Sequence, residues 1–92
     1  MQENTALKFI RKPELLSMLG LSNSTLYNRI NDGLLPPAIS LGKRAVGYLA
    51  HEIDQVFAAM IAEATQEQIK ALVKQLIEAR KNDKRLKAFK LG

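Results

Sequence analysis

ELLSMLGLSNSTLYNRINDG, residues 14–33, decides how the rest of the chain is read. It carries two short helices separated by a three-residue turn, Gly20-Leu21-Ser22. Leu15, Leu16, Met18 and Leu19 fill one face of the first helix. Gly20 supplies the positive φ that ends it, and Ser22 is placed to cap the second helix by accepting a backbone N–H. In that second helix Leu26 and Ile30, four residues apart, point inward, while Ser24, Thr25, Asn28 and Asn31 fall on the other side of the wheel. The pattern is a helix-turn-helix with a short, polar, uncharged outward face. Small hydroxyls and amides suit a DNA groove, where they can donate to phosphates or meet base edges. The plainer alternative is a helical hairpin whose polar face is simply solvated.

Outward from this stretch, Lys8-Phe9-Ile10-Arg11 alternates weakly and reads as a short strand. It leads to Pro13 as the first helical residue, with Glu14 complementing the helix dipole. On the other side Gly33 caps the second helix, and Leu34-Leu35-Pro36-Pro37 cannot continue it. Ala38-Ile39-Ser40-Leu41 and Val46-Gly47-Tyr48-Leu49 are strand-like runs around Gly42-Lys43-Arg44-Ala45, a β-hairpin with a basic tip. After a helix-turn-helix such a hairpin is a wing. Lys43 and Arg44 are placed to straddle a phosphate or enter the minor groove; the alternative is a turn that uses charge for solubility.

Apolar residues at Ile53, Val56, Phe57, Met60 and Ile61 predict a third helix over 52–64 that closes the core, with Met18 and Met60 as core filler. His51, the only histidine, precedes it and lacks partners for metal binding or catalysis, so a capping or surface role is expected. Thr65-Gln66-Glu67-Gln68 has the form of a capping box and starts a fourth helix over 66–82. Its stripe of Ile69, Leu72, Val73, Leu76 and Ile77 needs its own burial site, since each large aliphatic gains roughly 1.5–3 kcal/mol on full burial. Self-association through this stripe is the favoured covering, because two-fold dimers are the commonest oligomers. Docking on the chain's own domain is the alternative. The tail over 84–92 is basic with interleaved apolar residues and reads as a solvated end able to touch phosphates.

The expected architecture is mainly α with a small β-hairpin: a winged helix-turn-helix over residues 8–64, then a helical extension with a basic tail over 65–92. Ninety-two residues suffice for one small domain with a modest core. The net charge of +5 is uneven: residues 1–62 carry a net of +1 and residues 63–92 a net of +4. A polyanionic partner fits, although the helix-turn-helix itself is barely basic. Cysteine is absent, which excludes disulfides and thiolate metal sites and fits a reducing cytoplasm. The longest apolar run, over 56–62, is too short to cross a bilayer, so no membrane partner is expected. No carboxylate pair, metal-ligand cluster or nucleophile beside a base is visible. An enzyme is therefore the least expected class, and neither a cofactor, a metal nor a small-molecule substrate is expected.

The order of parts is recognisable. Residues 9–62 resemble the AlpA family of prophage regulatory proteins, small relatives of phage excisionases and of MerR-type DNA-binding domains. The resemblance rests on Gly20-Leu21-Ser22, Ser24-Thr25-Leu26-Tyr27, Gly33, Pro36, Leu41-Gly42, Arg44-Ala45-Val46-Gly47 and Glu52-Ile53-Asp54. It implies a winged helix-turn-helix that binds double-stranded DNA in the bacterial nucleoid as a transcriptional regulator, or that bends DNA as an excision factor. It also implies recognition-helix contacts from Ser24, Thr25 and Tyr27 and a wing contact from Arg44. Asn23 stands where the family commonly has a basic residue, and Tyr48 and Val56 where it usually has tryptophan. From the residues themselves, Ser24, Asn28 and Asn31 face the groove, and Asn28 is the best candidate to read an adenine through N6 and N7. Tyr27 and Arg29 flank that face; packing is the alternative for Tyr27, and an ion pair with Asp32 for Arg29. A competing class is a protein-interaction module that works through the fourth helix.

Overall fold

The computed structural model describes residues 8–43 and 45–82. The weakly alternating N-terminal run forms a two-residue strand, β1 (Phe9–Ile10), which leads into α1 (Lys12–Leu19) and α2 (Asn23–Asn31). The hairpin strands are β2 (Ile39–Gly42) and β3 (Ala45–Leu49), followed by α3 (Ala50–Ile61) and α4 (Gln66–Asn82). The sheet has the order β1-β3-β2 and is antiparallel throughout. Ile10 lies opposite Tyr48 and Phe9 opposite Leu49, so the start of the domain is stitched to the wing. Over the middle of β3, Gly47 leaves room for its neighbours. A Cβ there would lie 2.8 Å from Leu41 Cδ1 and 3.1 Å from Phe9 Cβ, so the two outer strands' side chains could not meet across it.

Each helix ends where its residues require. Gly20, at φ 67°, stops α1, and the Leu21 amide returns to the Leu16 carbonyl at 3.1 Å. Ser22 Oγ accepts the Thr25 amide at 3.3 Å and opens α2. At its far end Gly33 takes φ 79°, its amide donating to the Ile30 carbonyl while Leu34 donates to the Arg29 carbonyl, a Schellman closure. The capping box at the start of α4 is formed reciprocally: Thr65 N donates to Gln68 Oε1 at 2.8 Å, and Gln68 N to Thr65 Oγ1 at 3.1 Å. α3 closes in the same hydrogen-bond pattern as α2, with Ala64 N to Ala59 O at 3.0 Å, but its left-handed residue is Glu63 at φ 61°.

Ile10, Leu15, Leu26, Leu35, Tyr48, Ile53, Val56, Val73 and Leu76 make one buried cluster. The stripe, for which self-association was the favoured covering and docking on the chain's own domain the alternative, packs at least in part on that core. Val73 and Leu76 are buried, and Ile69, Leu72 and Ile77 are partly buried against the same core. Periodicity shows that a face must leave water but not what covers it. Two further expectations need correction. Met18 and Met60, expected as core filler, are 42% and 38% exposed, and Ile61 is 82% exposed. α3 also starts earlier and stops sooner than expected, because Leu49 at the end of β3 is itself its N-cap; His51 lies in the first turn, half-buried. Met60 and Ile61 fall in the last turn of α3, which runs past the core.

α4 is held by charge as well as by its apolar face. Arg80 forks onto Glu52, with Nε to Oε2 and Nη2 to Oε1 both at 2.7 Å, and Nη2 also donates to the Pro37 carbonyl at 2.9 Å. Glu52 is 1% exposed and Arg80 18%. Removing one partner of such a pair costs more than removing both, because a lone buried charge is left behind. Arg80→Leu is expected to lower unfolding free energy by about 3 kcal/mol, whereas the Glu52→Leu/Arg80→Leu pair recovers most of that loss; denaturant melts of the variants check this. Glu63→Gly, which removes the Cβ penalty of the left-handed cap, is expected to raise stability by up to about 1 kcal/mol in the same melts.

Candidate nucleic-acid interface

α2 is anchored on its inner side by Leu26, fully buried, and Ile30, half-buried. This orientation leaves Ser24, Thr25, Tyr27, Asn28 and Asn31 exposed together on the outside. Ser22 fixes the first turn: its Oγ accepts the Thr25 amide and donates to Thr25 Oγ1 at 3.0 Å. The Thr25 hydroxyl keeps its own proton available outward. Asn28 and Asn31 are both exposed, each with an amide able to donate and accept.

Arg29 does not join them. It is half-buried, and with Leu19, Leu21, Leu35 and Met60 it lines a small cavity behind α2. Its Nε is buried with no hydrogen-bond partner among the described residues. No ion pair with Asp32 forms; among the described residues the pairs are Arg80 with Glu52 and Lys81 with Glu78. The helical wheel explains the placement, since Arg29 lies three residues from the buried Leu26 and next to Ile30.

The flank of that surface reaches the sheet. Tyr27 is 67% exposed, and its charge acts on buried Tyr48 of β3. Burial first, and the neighbouring Tyr27 charge second, raise the Tyr48 pKa above its ordinary value. Lys43 stands exposed in the turn between β2 and β3; Arg44 lies outside the described residues, as does the basic tail. A further cation joins the wing from the N-terminal side. Arg11 Nε donates to the Val46 carbonyl of β3 at 3.2 Å, while the side chain stays exposed. Arg11 is the N-cap of α1 and makes no side-chain cap bond. A cation at a helix N-terminus opposes the dipole, in a position where Ser, Thr, Asp or Asn is preferred. That local conflict was the one sequence signal for it.

The surface that results is a neutral reading strip on α2 with Lys43 and Arg11 on the wing side. Among the described residues no group of His, Cys, Asp or Glu is arranged to hold a metal ion, and no helix is long and apolar enough to cross a membrane. The influence of Tyr27 on Tyr48 yields a test. Tyr27→Phe should lower the Tyr48 pKa but leave it above that of free tyrosine, because burial is the larger cause. A raised folded-state pKa means stability fully present below the unfolded value, about 10, and lost as pH rises through the folded value. The variant should therefore lose less stability at alkaline pH than the parent, as ultraviolet absorbance titration and melts above that pH will show.

The family described as Prophage CP4-57 regulatory protein (AlpA) matches residues 8–60, more than half of the chain. An uncharacterized protein, ORF88 of Enterobacteria phage P4, is 42% identical over 55 residues, covering 60% of this chain. The match spans 62% of that relative's own length. No solved structure matches. The matched residues are those that build β1, the helix-turn-helix, the wing and most of α3, and the chain belongs to the AlpA family of prophage regulatory proteins.

Proposed function

We propose that this chain binds duplex DNA sequence-specifically, with α2 in the major groove and the wing on the adjoining backbone, as a transcriptional regulator of a prophage or mobile element. The observation that carries this is the outward face of α2. Ser24, Thr25, Asn28 and Asn31 are exposed together on a helix whose position is set by Leu26 beneath it and whose first turn is capped by Ser22. In a helix-turn-helix the early residues of the second helix meet base edges. Asn28 is the residue assigned to an adenine, through its N6 and N7. Tyr27, Lys43, Arg11 and, from sequence, Arg44 supply edge and phosphate contacts that set register. Membership of a prophage regulatory family supports the same role.

One protomer offers few base contacts, so useful affinity calls for repeated sites or for phosphate contacts beyond this strip. Selection from a fragmented genomic library should return duplexes sharing a short motif. Asn28→Ala is expected to relax preference at one base position, worth about 1–3 kcal/mol of discrimination. Lys43→Ala should weaken all duplexes alike and lower the log–log salt slope by about 0.9. Recovery of no preferred sequence would overturn the proposal. Footprinted sites at promoters identify a regulator, and repeated sites beside a recombination junction identify an excision factor.

A further inference from the structure

α4 lies outside the family match, which ends at residue 60, yet it shares the domain's core and is tied by Arg80 to Glu52 and to the Pro37 carbonyl. Pro37 belongs to the segment that joins α2 to the wing, so α4 is docked across that joint. Its docking has a charged consequence. Lys70 and Lys74, one turn apart, line a shallow groove with Val73, Ile77 and Gly33, and Lys70 Cγ lies 3.8 Å from where a Cβ on Gly33 would stand. Gly33 ends the reading helix, two residues beyond Asn31. Both lysines are exposed, and neither forms an ion pair with a described residue.

The α2 C-terminus is the electrostatically unfavourable end for DNA. It carries the negative pole of the helix dipole, and its cap residue is Asp32. A duplex that admits α2 into its groove runs a phosphate strand past each end of the helix. On the wing side Lys43 and Arg11 are available; within α2 itself the one basic residue, Arg29, has its Nε buried and lines the cavity behind the helix. Lys70 and Lys74 are the cations placed there.

Resting on the DNA-binding function above, we propose that α4 is a second phosphate-contacting element, with Lys70 and Lys74 meeting the duplex backbone beside the C-terminal end of α2. The added helix thereby extends the footprint beyond α2 and the wing. A solvated lysine pair that merely offsets Asp32 and the helix dipole would affect folding stability but not the salt dependence of binding.

The test uses the full chain and the duplex recovered by the genomic selection. Fluorescence anisotropy across a salt series is expected to give a log–log slope shallower by about 1.8 in Lys70→Gln/Lys74→Gln, the loss of two phosphate contacts. The Lys70→Arg/Lys74→Arg pair should keep the parental slope, which separates charge from side-chain shape. Hydroxyl-radical footprinting should lose protection at one edge in the glutamine variant only. A glutamine variant with the parental slope and footprint overturns the assignment while DNA binding by α2 and the wing stands. A parent chain that binds no duplex overturns both.

Discussion

The buried fork between Arg80 and Glu52 is the interaction on which the arrangement of the other parts depends. A carboxylate 1% exposed requires a partner that satisfies both oxygens, and Arg80 reaches it across 28 positions of sequence with two 2.7 Å bonds. The same guanidinium takes the Pro37 carbonyl, so one side chain joins α3, α4 and the α2-to-wing segment. A buried ion pair adds little net stability compared with a well-packed apolar substitute, but it is exacting about geometry. Here its consequence is register: Val73 and Leu76 enter the core, and the Lys70 and Lys74 side of α4 comes to rest beside Gly33.

The reading helix is held with similar economy. Leu26 is its one fully buried residue, Ser22 secures its start and Gly33 its end, and nearly everything else faces out. Such a helix contributes little charge. In the proposed complex, orientation and base reading belong to α2, while long-range attraction belongs to cations mounted on other elements, Arg11 and Lys43 on the wing side and the lysines of α4 beside Gly33. That division suits a protein whose positive excess lies mostly beyond residue 62, because phosphate contacts position a protein while base contacts specify.

Much of this was legible in residues close together in sequence. Gly20 with Ser22 marks the turn, Gly33 the end of α2, and Thr65 with Gln68 a new helix start; each depends on local backbone geometry and appears in the structure. The outward strip of Ser24, Thr25, Asn28 and Asn31 follows from helical phase once Leu26 is known to face inward. Where phase alone was used to choose between neighbours, it was less reliable. Met18, Met60 and Ile61 have the spacing of core residues but are exposed, Met18 on α1 between the core-packed Leu16 and Leu19, and Met60 and Ile61 in the last turn of α3. Arg29 has the charge of a DNA contact but sits on the inner flank of α2.

By itself, then, the sequence determined the element types, the caps of α2 and the start of α4, the helix-turn-helix and wing order, and the need of the α4 stripe for burial, because these rest on propensity, capping chemistry and periodicity within a few residues. The tertiary structure alone decided what covers that stripe, that β1 joins the wing through β3, that Arg11 is carried onto Val46, and that Lys70 stands beside Gly33. Those pairings span tens of residues. They depend on which complementary surfaces and charges come together when the whole core closes, and no local pattern encodes that choice.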